Sequence, residues 1–385
     1  MSALLEALLA KPIAPQRPAV SARDFTRKLE ISQSTATATL VAEPGATVNE
    51  GTALRFLEDE GQNPAEWEVT GFRKIEYGQG MESTRFTFRR IGPVVASILE
   101  DEELRAMKAY RPKAARAQGD HTFMVLLGDM QFGKIDGDGV AGTLERTISC
   151  LEKAADALEF YRKRYDIGHV HVAWLGDHVE GFESQGGANA WRTPMPLNDQ
   201  IRVTRRTMLH GLLTFSDLAE RVTMVAVPGN HGEAVRFQGS GITRYDDSHD
   251  TESLIAVMDG ARLTDKFDHV EFYVPQTDEL SVALDLSGTV TAHTHGHKWR
   301  PGKHLDWWKG QAFNRESAFH GAHLLVAGHL HHEFVDTDGD RTFIQPPAME
   351  SESTWWRHSK GTTGAPGLIV GVTRNGEVPI KELIR

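Results

Sequence analysis

Four apolar runs that stop at a glycine and hand over at once to Asp, Asn or His constrain this chain more than any other feature. Val225-Ala-Val-Pro-Gly229 runs into Asn230-His231, and Phe123-Met-Val-Leu-Leu-Gly128 into Asp129-Met130-Gln131. Val170-His-Val-Ala-Trp-Leu-Gly176 leads into Asp177-His178-Val179-Glu180, and Leu324-Leu-Val-Ala-Gly328 into His329-Leu330-His331-His332. A buried strand ending on a glycine turn delivers the next side chains to the carboxyl edge of a sheet, where α/β proteins keep their chemistry. Carboxylate, amide and imidazole donors gathered there, with no thiolate among them, suit divalent ions such as Mn, Fe, Zn or Ni.

The order of these blocks resembles the calcineurin-like metallophosphoesterases. That family's pattern runs Asp-x-His, Gly-Asp-x-x-Asp/Glu, Gly-Asn-His-Asp/Glu, a lone His often in His-Gly-His, then Gly-His-x-His. This chain reads Asp129-Met-Gln131, Gly176-Asp177-His-Val-Glu180, Gly229-Asn230-His231, His295-Gly-His297 and Gly328-His329-Leu-His331. Gln131 stands where the family usually has His, and Gly232-Glu233 where an acid usually follows His231 directly. The resemblance implies an α/β, four-layer α/β/β/α sandwich and a two-metal site, its ions ~3.5–4 Å apart, that clamps a phosphoryl group and activates a bridging water. Asp177 would bridge the two ions. Asp129, Gln131 and His331 would complete one, and Asn230, His295 and His329 the other, with manganese the first choice of metal. His293 and His297 lie close enough in sequence to replace His295. His231 would not ligate: it would face the leaving group as a general acid or a positive charge, oriented by a carboxylate such as Glu233 or Asp246.

Composition fits an enzyme with a real core. A length of 385 residues suggests one large domain plus a smaller one. No apolar run approaches the ~18 residues that span a bilayer. Met1 to Ala10 reads as a short amphipathic helix rather than a secretory signal. A single cysteine, Cys150, excludes an internal disulfide framework and points to a reducing cytoplasm. The net charge of −11 does not suggest an avid nucleic-acid binder, although bound metal would reverse the field locally.

Residues 1–92 read as a small α+β module: helical over 1–30 with interruptions at Ala14-Pro15 and Arg17-Pro18, a strand at Thr35–Ala42, a helix at Gly51–Glu60, a capped turn at Asn63-Pro64, and strands at Trp67–Tyr77 and Ser83–Arg90. It would either grip a substrate or partner or simply pack. Residues 93–119 read as a mostly helical linker with a basic end, broken near Pro112. Residues 120–385 form the catalytic domain. Helices are expected over Thr143–Arg164, Asp199–Leu218 and Thr251–Met258, with a βαβ unit joining Asp129 to Asp177 at one sheet edge. Val270–Val274, Leu280–Leu286 and Thr289–Thr291 read as antiparallel strands feeding His293 and His295. Arg341–Gln345 and Gly367–Gly371 add strands. The pairs Trp307-Trp308 and Trp355-Trp356 are either core rings or a stacking platform for bases.

No Arg follows the second motif, as it does in the family's protein phosphatases, and Glu180 resembles the nuclease and phosphodiesterase branch. Asn63-Pro-Ala-Glu-Trp67, Gly128-Asp-Met-Gln-Phe-Gly133, Gly328-His-Leu-His-His332 and Trp355-Trp356-Arg357-His358 together resemble repair-nuclease-like phosphoesterases encoded by phages of actinobacteria. The stretch after His331 is too short for the DNA-capping domain of the repair enzymes. The implied activity is metal-dependent hydrolysis of DNA phosphodiesters. A phosphomonoesterase or small-nucleotide phosphodiesterase is the alternative, and a scaffold that keeps only the fold is a third reading. DNA is the expected partner, with no membrane; a homo-oligomer or a further protein partner stays open.

Overall fold

The computed structural model describes residues 27–31, 35–42, 48–76, 82–90, 102–113, 116–183, 193, 195–237, 241–351, 358 and 364–385. The chain divides into two units, Met1–Gly92 and Pro93–Arg385.

In the first unit, β1 (Arg27–Ile31), β2 (Thr35–Ala42), β3 (Trp67–Glu76) and β4 (Glu82–Arg90) form an antiparallel sheet in the order β1-β2-β4-β3. The alternation of β2 turns Ala36, Ala38 and Leu40 inward, against Ala53, Phe56 and Leu57 of α1 (Glu50–Asp59). Trp67, Phe86 and Phe88 complete that core. Asn49 caps α1, its side chain accepting from Thr52 N at 3.1 Å. Arg27–Ile31 corrects the helix expected there: these residues pair with β2, and a short charged segment gains more from a sheet edge than from an isolated turn of helix. The rest of the expected N-terminal helix lies outside the described residues.

In the second unit, α2 (Glu102–Ala109) is the helical part of the expected linker among the described residues. Tyr110, just after it, stacks on Phe267 with ring centroids 4.7 Å apart and donates to Asp217 at 2.6 Å. Two sheets form the centre. β5 (His121–Leu127), β6 (Ile167–Trp174) and β7 (Arg221–Ala226) are parallel neighbours. The strands β8 (Arg236–Phe237) and β9 (Gly241–Ile242) make a small separate hairpin. β10 (Val270–Tyr273) then joins β7 in parallel. β11 (Val282–Leu286), β12 (Thr289–His293), β13 (Leu324–Val326), β14 (Phe334–Asp338) and β15 (Arg341–Gln345) make the second sheet, in the order β11-β12-β13-β15-β14. β16 (Leu368–Arg374) and β17 (Glu377–Ile384) return to the first sheet, whose order is β10-β7-β6-β5-β16-β17.

Both faces of the first sheet are covered, which explains why β5, β6 and β7 are buried along almost their whole length. On one face, Phe123, Val125, Val170, Val172, Val222 and Met224 meet α3 (Gly139–Tyr161), α4 (Leu197–Phe215) and α5 (His249–Arg262). On the other, Met124, Leu126, Ala173, Leu175 and Val225 meet Leu286, Leu324, Val326 and Ile344 of the second sheet. The second sheet's far face carries Leu325 and Phe343, covered by Trp308 and Ala312 of α6 (His304–Ala312) and by Trp299 and Phe319. Each large apolar side chain among these contributes about 1.5–3 kcal/mol on burial. The architecture is therefore an α/β/β/α sandwich. Trp308 is fully buried and Trp307 packs on Trp299 and Phe319, so this pair serves the core. Trp355-Trp356 lies outside the described residues.

Two strand expectations need correction. Val270–Tyr273 is not antiparallel with its followers; the crossover through α5 returns it parallel to β7, as a βαβ connection does. β14 and β17 were missed, because as edge strands they alternate weakly and carry charges. Among the described residues no helix is long and apolar enough to cross a membrane.

Candidate metal centre

The loops at the carboxyl ends of β5, β6, β7, β12 and β13 converge, bringing together the sequence-predicted residues. Asp177, His295 and His329 each place a ligand atom within 4.8 Å of the others. His295 Nε2 stands 2.9 Å from Asp177 Oδ2 and 4.0 Å from Asp129 Oδ1. His331 Nε2 lies 3.2 Å from Asp129 Oδ1 and 3.3 Å from Gln131 Nε2. Asp129, Gln131, Asp177 and His295 are buried, while Asn230, His231, His329 and His331 are half-buried.

The backbone is bent to achieve this. Asp129, Gln131, Asp177, His329 and His331 all have positive φ, between 41° and 75°. Outside glycine such a conformation costs about 1–2 kcal/mol per residue, and it collects at functional sites. The preceding glycines permit the close approach. A Cβ on Gly229 would lie 2.0 Å from Asp177 Oδ1, and one on Gly328 would lie 2.6 Å from Asp129 Oδ2.

Asp250, at the start of α5, pins two of the loops. Its carboxylate accepts the N–H groups of Asp177, His178 and Gly229 at 2.9–3.0 Å. Sequence reasoning missed it, since an acid in the first turn of a helix needs no further explanation. Asp177 Oδ1 accepts from His231 N at 2.7 Å, and Asp129 Oδ2 from His329 N at 2.8 Å. Asp129 Oδ1 and Asn230 Oδ1 are buried and accept no aligned hydrogen bond. A buried amide oxygen with no aligned donor, next to carboxylates gathered with imidazoles, is costly unless a cation is held there, so these residues fit divalent metal.

Electrostatics agree. Burial pushes the Asp177 carboxyl up, but the charges of His295 and His231 outweigh it and hold it well below the usual carboxylate range. Burial pulls His295 down; Asp177 and Asp129 reverse this and raise it to about 9. His331 is likewise raised to about 10, against burial, by Asp129 and Glu350. His329, half-buried beside His295, falls to about 4 through desolvation and the His295 charge.

Of the two alternatives to His295, His293 points elsewhere: its Nε2 meets His171 Nε2 at 2.9 Å and its Nδ1 meets Val282 O at 3.0 Å. His297 lies beside the site, its ring 5.5 Å from that of His295 and 6.2 Å from that of His329. His295 Nδ1 donates to Leu175 O at 2.7 Å, which leaves Nε2 free to ligate.

His231 is oriented by Glu180 and by neither expected acid. Its Nδ1 lies 3.0 Å from Glu180 O and 3.4 Å from Glu180 Oε2. Burial lowers His231, but Asp177 and Glu180 raise it to about 9. Asp246 instead pairs with Arg244 at 3.0 Å and accepts from Asp278 N at 2.9 Å, and Glu233 bridges to Ser248. Glu350 was also missed. It meets His331 Nδ1 at 3.0 Å and Lys134 Nζ at 2.8 Å, and nothing in Met349-Glu350-Ser351 announces it in the sequence. His178 is buried against Trp174, whereas His320 and His332 are exposed.

No protein-family model matches the chain, and no curated protein does. Among solved structures it is similar to a conserved uncharacterized protein, a predicted phosphoesterase, from Streptococcus pneumoniae, at 13% identity and a TM-score of 0.27, covering 69% of this chain and 97% of that one. It is similar to a single mutant of Vps29 from Entamoeba histolytica at 11% identity and a TM-score of 0.31, covering 68% and 99%. Wild-type Vps29 from the same organism, complexed with zinc, is similar at 12% identity and a TM-score of 0.25, covering 42% and 79%.

Proposed function

We propose that this chain is a metal-dependent phosphoester hydrolase whose substrates are phosphodiesters, with DNA the preferred class. The observation that carries the reading is the convergence of Asp129, Asp177, Asn230, His295, His329 and His331, with buried oxygens of Asp129 and Asn230 left without aligned partners. Asp177, His295, His329 and Asn230 would hold one divalent ion, and Asp129 and His331 a second. When bound, such ions supply Lewis acidity toward phosphoryl oxygens and lower the pKa of water.

The chain's own groups do the rest. Glu180 holds the Nδ1 side of His231, and Nε2 is the atom assigned to the leaving oxygen. The Asp177 and Glu180 charges favour the protonated ring, which would donate as the bond to phosphorus breaks. Metal on Asp177 would return part of the shift, because it neutralises the carboxylate that causes it. Glu350 and Leu175 fix the rings of His331 and His295 through their Nδ1 atoms. The preference for diesters over monoesters is supported by the resemblance of the Glu180 motif to the nuclease branch.

The test is hydrolysis by purified protein with added manganese, with and without chelator. A chromogenic monoester, a chromogenic diester, and single- and double-stranded DNA are compared. Chelator-sensitive turnover of the diester and of DNA, above the monoester, is expected. Turnover of the monoester alone would replace the diester reading, and turnover that survives chelation would remove the metal reading.

A further inference from the structure

Gln131 presents its amide nitrogen, and not its oxygen, to the site. Its Oε1 lies 3.1 Å from Lys134 Nζ, and its Nε2 lies 3.3 Å from His331 Nε2. An ammonium only donates hydrogen bonds, so the amide atom facing Lys134 must be the oxygen. That oxygen is the one atom of a glutamine that binds a cation. Lys134 is itself fixed: Nζ donates to Glu350 Oε1 at 2.8 Å, and both side chains are largely buried. Glu350 in turn takes His331 Nδ1 at 3.0 Å, and its backbone N–H donates to Asp129 O at 3.1 Å. The four side chains form a closed run, Gln131–Lys134–Glu350–His331, behind one half of the site. Among the described residues, no lysine hydrogen-bonds to Asp177, His295 or His329 in the other half.

We infer that Lys134 sets the metal load of this centre: by holding Gln131 Oε1 it withholds that oxygen, so the Asp129–His331 half takes its divalent ion more weakly than the Asp177–His295–His329 half. Residue 131 then acts as a positioning residue, and Lys134 as the group that decides whether it can ligate. The inference rests on the metal reading proposed above.

The test counts ions rather than turnover. Chelator-stripped protein is titrated with manganese, with free ion followed by electron paramagnetic resonance and bound ion by elemental analysis. Wild type should take one ion tightly and a second at least about 10-fold more weakly, the scale on which outer partners change metal affinity. Lys134→Met should free the amide and tighten the weaker ion about 10-fold. Removing Lys134 also unmasks the Glu350 charge, which could attract a cation by itself, so the double variant Lys134→Met/Gln131→Ala is decisive. If Gln131 is the released ligand, the gain disappears there; if the gain persists, the inference is wrong. Should Lys134→Met fail to fold, Gln131→Glu serves, since a carboxylate can keep one oxygen on Lys134 and turn the other inward. It should tighten the weaker ion, and an unchanged affinity would overturn the inference. Two ions of equal affinity in wild type would overturn it as well, while leaving the metal reading intact. A wild type that binds no divalent ion would remove both.

Discussion

Two groups of histidines, one just past the carboxyl ends of the strands and one inside the layer between the sheets, have opposite electrostatic fates. His295 and His331, at the carboxyl ends, face carboxylates and are raised to about 9 and about 10. His169, His171 and His293 lie in the layer between the sheets and face hydroxyls and one another. His169 contacts Thr122 at 2.9 Å and Thr223 at 2.8 Å, and His171 contacts Thr223 at 2.7 Å and His293 at 2.9 Å. Burial pulls His169 to about 3, His293 to about 4 and His171 well below its ordinary value. The residue type is shared; the partner decides the role. Hydroxyls satisfy a neutral ring completely and leave nothing for a metal to do. Carboxylates leave negative charge that only a proton or a cation can answer.

The largest effect that would sharpen this contrast is at Asp177. Asp177→Asn should empty the centre of metal and reduce hydrolysis to background, both read on the same folded sample. Wild-type turnover in a variant shown to have lost metal would break the assignment of the carboxyl end as the working end. Next comes His231→Gln, expected to keep its metal yet slow turnover ~10²–10⁴-fold, with the greater loss on an alkyl than on a nitrophenyl leaving group. Equal losses on the two would remove the proton-donor role.

The inter-sheet group should respond in stability and not in metal content. His171→Leu takes one partner each from Thr223 and His293 and should cost about 1–3 kcal/mol in urea unfolding, with manganese stoichiometry unchanged. A loss of metal in that variant would mean the two groups are coupled. The smallest effect is the pH dependence. His169 and His293 titrate near 6.5 when unfolded and far lower when folded, so the unfolded chain takes up the extra protons. Their contribution is fully present above about pH 6.5 and is lost as pH falls toward about 4 and then about 3. Denaturation midpoints from pH 7.5 to 4.5 should fall, and should fall less steeply in His169→Gln. Parallel slopes would show that His169 is not kept neutral.

Sequence alone determined the strands that lead into the candidate site, because a run such as Phe123 to Leu127 is apolar on both faces and must be buried on both. The glycine after each run marked the turn, and the Asp, Asn and His that follow marked the candidate donors. Helices α3, α4 and α5 were legible from their apolar spacing to within a few residues. Edge strands β14 and β17 were not, since half-exposed charged segments carry little periodicity. What only the tertiary structure decided is which side chain answers which. Asp250 and Glu350 are acids without a local pattern, and they matter because distant segments bring Asp177 and His331 to them. Glu180, in place of Glu233 or Asp246, takes His231 because the β6 and β7 loops lie side by side. His293 and His295 are two residues apart in one strand and its exit, yet one faces His171 and the other Asp177. Nothing in a linear string records the direction in which a ring points once two sheets have packed, because that direction is set by contacts over a hundred residues apart.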